Sequence, residues 1–263
     1  MNLADSPVSA DDSPCYFFHF GLIVTGDSER DHLPKLFRSL MATQICTFQV
    51  IGYTGQRSPI TSAKKKLNMV GSGKSIPDKD ANEIGLPARR YLNANSCHLV
   101  VLIDDLEHDR RPLAQQVFDR YRLTLDTMLT HSQRSRAAVH FLVNMLEAYY
   151  FADAAAVNAV LTLYPPLEDC VDDVETIRHP KEELKRRYPG FDEIRDGGKI
   201  LEHLDVEHVL SRPETCAWLR TLFKWCVQAL ERSPSYGPVS VSEKYRLRDG
   251  ALSTVTQTQL QVL

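Results

Sequence analysis

What this sequence lacks narrows its reading before any motif is weighed. No stretch reaches the roughly 18 unbroken apolar residues of a membrane span, and Met1 to Pro14 is polar and acidic, without the apolar core of a secretory leader. A chain with neither is expected to stay in the cytoplasm, away from any membrane. The six cysteines (Cys15, Cys46, Cys97, Cys170, Cys216, Cys226) form no C-x-x-C pair, so neither a zinc knuckle nor a disulfide scaffold is indicated and reduced thiols are expected. The nine histidines show no H-E-x-x-H or comparable ligand spacing, and His98 and His140 fall inside apolar runs, as core or rim residues do. Ser28 lies in no G-x-S-x-G elbow, which removes support for a hydrolase triad. The stretch Val70 to Ser75, "VGSGKS", has Asn68 where a phosphate loop needs its first glycine, and it reads as a plain loop.

What is present is enough apolar residue to build a core. With 263 residues and 43% hydrophobic content, the chain fits one large domain, or one domain with a helical extension. Strand patterns at Tyr16 to Val24, Thr47 to Tyr53, Cys97 to Ile103 and Ala137 to Asn144 alternate with helical patterns at Asp31 to Met41, Lys79 to Leu92, Arg111 to Leu129 and Met145 to Leu163. Such alternation predicts an α/β fold, a mostly parallel sheet with helices on both faces. After Pro165 only helices are expected, at Pro180 to Tyr188, Lys199 to Leu204 and Arg212 to Glu231, forming a C-terminal cap on the sheet. The expected division is a flexible N-terminus (1–14), an α/β domain (15–164), a helical region packed on it (165–231) and a loosely ordered Pro, Ser, Thr and Gln-rich tail (232–263).

Acids gather where such a sheet binds ligands, at the carboxyl ends of its strands. The first strand runs into Thr25-Gly26-Asp27-Ser28-Glu29, the third into Asp104-Asp105, and the fourth leads to Glu147. Hard carboxylate oxygens suit Mg²⁺ or Mn²⁺, which take a few protein ligands and fill the rest with water or phosphate. Singly, each acid has a plainer explanation: Glu29 at a helix N-terminus, Asp104 and Asp105 capping a loop, Glu147 in solvent. A second charge feature lies between Arg57 and Arg90, where eight Lys or Arg meet three acids. It is either a solvated basic loop or a contact for a phosphate backbone, with Lys64, Lys65, Lys66, Arg89 and Arg90 as the candidate residues.

The order of these motifs resembles a family. Val24 to Glu29 resembles the V-E-G-x-x-E opening of Toprim domains in overcoming-lysogenization-defect nucleases and in small stand-alone bacterial Toprim-like proteins. "VVLIDDLEHDR" resembles the D-x-D strand, and "LVNMLEAYYFAD" is similar to the glutamate helix, with Glu147, a tyrosine at 149 or 150, Ala152 and Asp153 on matching positions. "IRHPKEELKRRYPGF" and "DGGKILEHLDVEHV" resemble the helical C-terminal region. The resemblance spans roughly Tyr16 to Leu230. It implies a Toprim-like sheet and a Mg²⁺- or Mn²⁺-dependent phosphodiesterase, a nuclease of DNA or RNA. Its metal ligands would be Glu29, Asp104, Asp105 and Glu147; its catalytic residues Glu29, Asp104, Glu147 and Lys199, with Lys199 neutralising the scissile phosphate. It also implies an ABC-type ATPase partner in antiphage defence. The chain departs from the pattern at Thr25, where the family has its first glutamate, and at Leu106, where it has its second aspartate. A non-cleaving Toprim-like module that binds a protein or nucleic acid is therefore the alternative.

Overall fold

A computed structural model describes residues 14–60, 76–235 and 241–261. Four strands form one parallel sheet: β1 (Phe18–Val24), β2 (Cys46–Tyr53), β3 (His98–Leu106) and β4 (Ala137–Val143), in the order β2-β1-β3-β4. The fold is α/β, as the alternating patterns predict. Because the chain leaves β1 for β2 on one side and returns to β3 on the other, the strand order reverses between β1 and β3. Crevices at the carboxyl ends of strands flanking such a reversal are where open α/β sheets bind ligands.

Both faces of the sheet are covered, and the pleat divides the side chains between them. On one face Phe20, Leu22 and Val24 of β1, Val101 and Ile103 of β3 and Leu142 of β4 join the apolar side chains of the C-terminal helices. On the other, Ile23, Val100, Leu102, Leu106, Phe141 and Val143 pack against Ala88 and Leu92 of α2 (Leu86–Ala94) and against α3 (Ala114–Met128). Helix α3 presents Val117, Phe118, Tyr121 and Leu125 to the sheet, a stripe spaced three and four residues apart. Burying each large side chain of this kind contributes about 1.5–3 kcal/mol.

The connections differ from simple helices. After β1, α1 (Asp27–His32) continues through a 3₁₀ turn over Leu33–Phe37 into a further short helix, Arg38–Met41. The single helix expected over 145–163 is two pieces, a 3₁₀ turn over Leu146–Ala152 and α4 (Ala154–Val160). Asp153 separates them and accepts from the Ala156 N–H as the N-cap of α4. Then come α5 (Pro180–Arg187), with proline in its first turn, α6 (Arg195–His203) and α7 (Ala217–Leu230). The N-terminus of α7 is capped from a distance: the buried Glu175 carboxylate accepts from the N–H groups of Trp218 and Leu219 and from the Tyr149 hydroxyl.

Two expectations need correcting. Cys15 and Cys97 are disulfide-bonded, tying the chain before β1 to the residue before β3, so not all the cysteines are free thiols. The other four are free. The tail expected to be loose from Arg232 is packed over residues 241–261: Tyr245 and Leu247 are buried, and Ser253 bonds back to α7. Gln259 lays its side-chain amide against β4, accepting from the Val139 N–H and donating to the Val139 carbonyl, as a neighbouring strand would. Among the described residues no helix is long and apolar enough to cross a membrane.

Candidate functional site

Glu29, Asp105 and Glu147 are all buried at the carboxyl end of the sheet, in a position to feel one another's charge. Glu29 is the third residue of α1, and its carboxylate folds back over the turn against Gly26. A Cβ on residue 26 would meet Glu29 Oε2, so a larger residue there would push the Glu29 carboxylate out of this position. Asp105 lies on the same face of β3 as Ile103 and Val101, two and four residues before it. Glu147 is second in the 3₁₀ turn after β4. Tyr150, one turn on and fully buried, feels the charge of all three acids and donates to the Gly197 carbonyl at 3.3 Å.

Asp105 and Glu147 are in an energetically poor state as anions. Burial, then the charges of Glu29 and Glu147, hold Asp105 well above the ordinary carboxyl range. Asp105 Oδ1 is buried with no partner. Glu147 is pushed up to about 7, chiefly by burial, with Lys181 acting in the opposite direction. Uncompensated acids of this kind cluster at functional sites. Among the described residues, however, no group of three or more His, Cys, Asp or Glu residues is disposed to hold a metal ion as it stands.

Asp104 is not part of this group. It alternates with Asp105 in the strand and points to the opposite face, where Arg110 grips it at 3.2 and 2.6 Å, the Thr25 hydroxyl donates at 2.8 Å and the Tyr121 hydroxyl at 2.9 Å. Its buried charge is fully matched, and Thr25 is its partner rather than a gap in the acidic group.

Lys199 is exposed on α6. The lysine whose charge reaches the acids is Lys181, in the first turn of α5: partial burial works to lower it, but its bond to Glu193 (2.7 Å) and the charges of Glu147 and Asp105 raise it overall. A cation in the first turn of a helix opposes the macrodipole, and that anomaly in "HPKEEL" is the sequence signal that could have singled it out. In the basic segment, Arg57 is buried in an ion-pair network with Asp80 and Glu83, joined by Arg120, which takes it away from any backbone contact. Arg89 and Arg90 are exposed on α2, and Lys64, Lys65 and Lys66 lie outside the described residues, as does "VGSGKS".

A feature that sequence reasoning missed lies beside the acids. Asn144 and Met145, directly after β4, both have positive φ (57° and 75°), and Met145, with ψ 166°, occupies a region open almost only to glycine. Such strain costs on the order of 1–3 kcal/mol per residue and tends to be kept at functional sites. The two residues line a pocket of about 220 Å³ with Glu107, His108, His179 and Lys181.

The chain belongs to the family described as "Domain of unknown function (DUF4276)", whose model matches residues 24–223. No curated protein matches it. Among solved structures it is similar to the C-terminal region of the Xanthomonas campestris pv. campestris OLD protein, at 15% identity and a TM-score of 0.36, covering 82% of this chain and 95% of that one.

Proposed function

We propose that the chain is a Toprim-like phosphodiesterase whose acidic group, Glu29, Asp105 and Glu147, holds a divalent cation, Mg²⁺ or Mn²⁺, and cleaves nucleic acid. The observation that carries this reading is the partnerless Asp105 Oδ1 beside two further buried carboxyls at the strand-order reversal. Hard oxygen donors with no protein cation among them suit such an ion, which would offset the mutual repulsion of the three carboxylates. When bound, the ion would supply Lewis acidity toward a phosphoryl oxygen and lower the pKa of water. The chain's own contribution is to hold the three carboxylates in a water-poor crevice, to fix Tyr150 beside them, and to bring the Lys181 ammonium close enough to offset phosphate charge. An ABC-type ATPase partner and a role in antiphage defence belong to this proposal on the strength of the Toprim resemblance, and DNA and RNA both remain open as substrates on that ground.

Titrating Mn²⁺ into wild type, Glu29→Gln and Asp105→Asn by calorimetry tests the reading, together with cleavage assays on plasmid and single-stranded RNA. Saturable heat and cleavage in wild type, both lost in the two variants, are expected. Equal heats in all three proteins would overturn it. A second reading, a non-cleaving module, is favoured by one specific observation: the first acid of the expected D-x-D, Asp104, is locked to Arg110. Cation binding without cleavage would select it.

A further inference from the structure

The rim of the acidic crevice carries an exposed aromatic ring, and a break in β2 puts it there. Leu22 of β1 pairs with Val50 and Ile23 with Gly52, so Ile51 has no partner across the ladder. Up to that point β2 alternates regularly, Phe48 and Val50 packing on the face shared with the C-terminal helices and Ile51 on the face of α2 and α3. Continued without a bulge, the alternation would send Tyr53 to the α2 side. The extra residue reverses it. Gly52 falls beside Ile23, where a Cβ would meet Ile23 and Pro87, and Tyr53 falls beside Val24, on the face that carries Asp105. Bulges re-aim side chains in this way and are over-represented next to active sites.

Tyr53 is 45% exposed in this position. Its ring is supported by the guanidinium of Arg30, the residue after Glu29, 5.3 Å from the ring centroid and itself fixed by Asp27 at 2.9 Å and Asp31 at 3.0 Å. Beyond Tyr53 the chain crosses the strand ends toward the acids: the Thr54 N–H donates to the Val24 carbonyl, and the exposed Gln56 amide to the Asp105 carbonyl at 3.2 Å. Only β1 separates β2 from β3, so the two strands lie about 10 Å apart. Because Arg30 already has carboxylate partners, the rim offers no phosphate site; it offers a braced aromatic surface. Such a surface takes a nucleobase of any kind, provided that the base is unpaired. We infer that Tyr53 stacks a base of the substrate near the scissile phosphate, and that the crevice therefore takes single-stranded nucleic acid, DNA and RNA alike, in preference to duplex. The inference rests on the phosphodiesterase reading for the choice of polymer, but the stacking itself needs no cation.

The test is fluorescence anisotropy, in EDTA, of a labelled oligothymidylate, its duplex with oligoadenylate and an abasic strand of the same length, each titrated with wild type, Tyr53→Ala and Tyr53→Phe. Wild type should bind the oligothymidylate about tenfold more tightly than the duplex or the abasic strand, toward the low end of what one stacked base contributes. Tyr53→Phe should keep that advantage. Tyr53→Ala should abolish it while leaving affinity for the duplex and the abasic strand unchanged. Equal affinity for the three ligands in wild type, or no saturable binding at all, would overturn the proposal. An advantage that survives Tyr53→Ala would also overturn it and leave the ring to a protein partner. Equal weakening of all three ligands in Tyr53→Ala would mean that the ring acts through the fold, and the stacking assignment would fail. Base-dependent binding in EDTA without any Mn²⁺ heat would sink the cation reading and leave this one standing; Mn²⁺ heat and cleavage with unaltered affinities in Tyr53→Ala would do the reverse.

Discussion

Asp104 and Asp105 are neighbours in one strand, both buried and both acidic, yet they live in opposite electrostatic worlds. On one side of the sheet a guanidinium and two hydroxyls meet Asp104, and its charge is matched by four hydrogen bonds. On the other, Asp105 meets the charges of two more carboxyls and leaves one oxygen without a partner. The difference teaches where the molecule keeps stability and where it keeps reactivity. A satisfied buried charge is costly to disturb, whereas an unsatisfied one is held in place by the rest of the fold and is free to bind something else.

The comparison breaks most readily at Asp104. Asp104→Ala leaves Arg110, 16% exposed, without its carboxylate, and removing one member of a buried ion pair costs about 3–5 kcal/mol. Urea denaturation should show that loss in full; a change under about 1 kcal/mol would mean the pair is not the anchor the geometry makes it. The same geometry turns Thr25→Glu into a destabilising change, since Thr25 donates to Asp104 and accepts from the Asp105 N–H. A glutamate there would press a carboxylate against one already matched.

On the other face the expected effect is smaller and carries a pH signature. In the unfolded chain Glu147 ionises at its ordinary 4.5, and in the folded protein at about 7. Between those values the folded state binds the extra proton, so stability falls as pH rises through that window and is level outside it. The loss attributable to Glu147 is at most roughly 3 kcal/mol at 1.36 kcal/mol per pKa unit. Melts of wild type and Glu147→Gln across pH 4 to 8 in EDTA isolate it: the variant should show a shallower decline. It should not become flat, because Glu175, also raised to about 7 by burial, titrates in both proteins. Parallel curves would show that Glu147 is not held protonated.

Much of the sheet was legible in the sequence, because buried parallel strands are continuous apolar runs and "CHLVVLI" is one. The same property hid the site. When both faces of a strand are apolar, the period-2 alternation that tells inside from outside is absent, so nothing in "LVVLIDDL" says which aspartate faces which way. The acids at 29 and 147 could be read from the ends of strands, but the burial that leaves Asp105 Oδ1 without a partner beside them is a product of packing. Composition misled at the tail, where a polar glutamine serves as a strand partner for Val139, and at Cys15 and Cys97, 82 residues apart in sequence. Asn144 carried only its tolerance of positive φ as a hint.

The smallest expected effect separates two lysines. Lys199, exposed on α6, should be replaceable by alanine within about ±0.5 kcal/mol, as surface positions away from special features are. The pH dependence of stability should not move with it. Lys181 is different in kind: half-buried, bonded to Glu193, and placed so that its charge stabilises the ionised form of Glu147. Lys181→Met removes that help, so the Glu147 transition should move to higher pH while the Lys199→Ala curve overlays wild type. The Glu193 carboxylate, itself held below its ordinary value by Lys181 and Lys185 after a counteracting burial effect, keeps Lys185 as a partner, which limits the stability cost of the change. If instead Lys199→Ala moves the transition and Lys181→Met does not, the cation beside the acids is the one expected from the sequence, and the assignment of Lys181 fails.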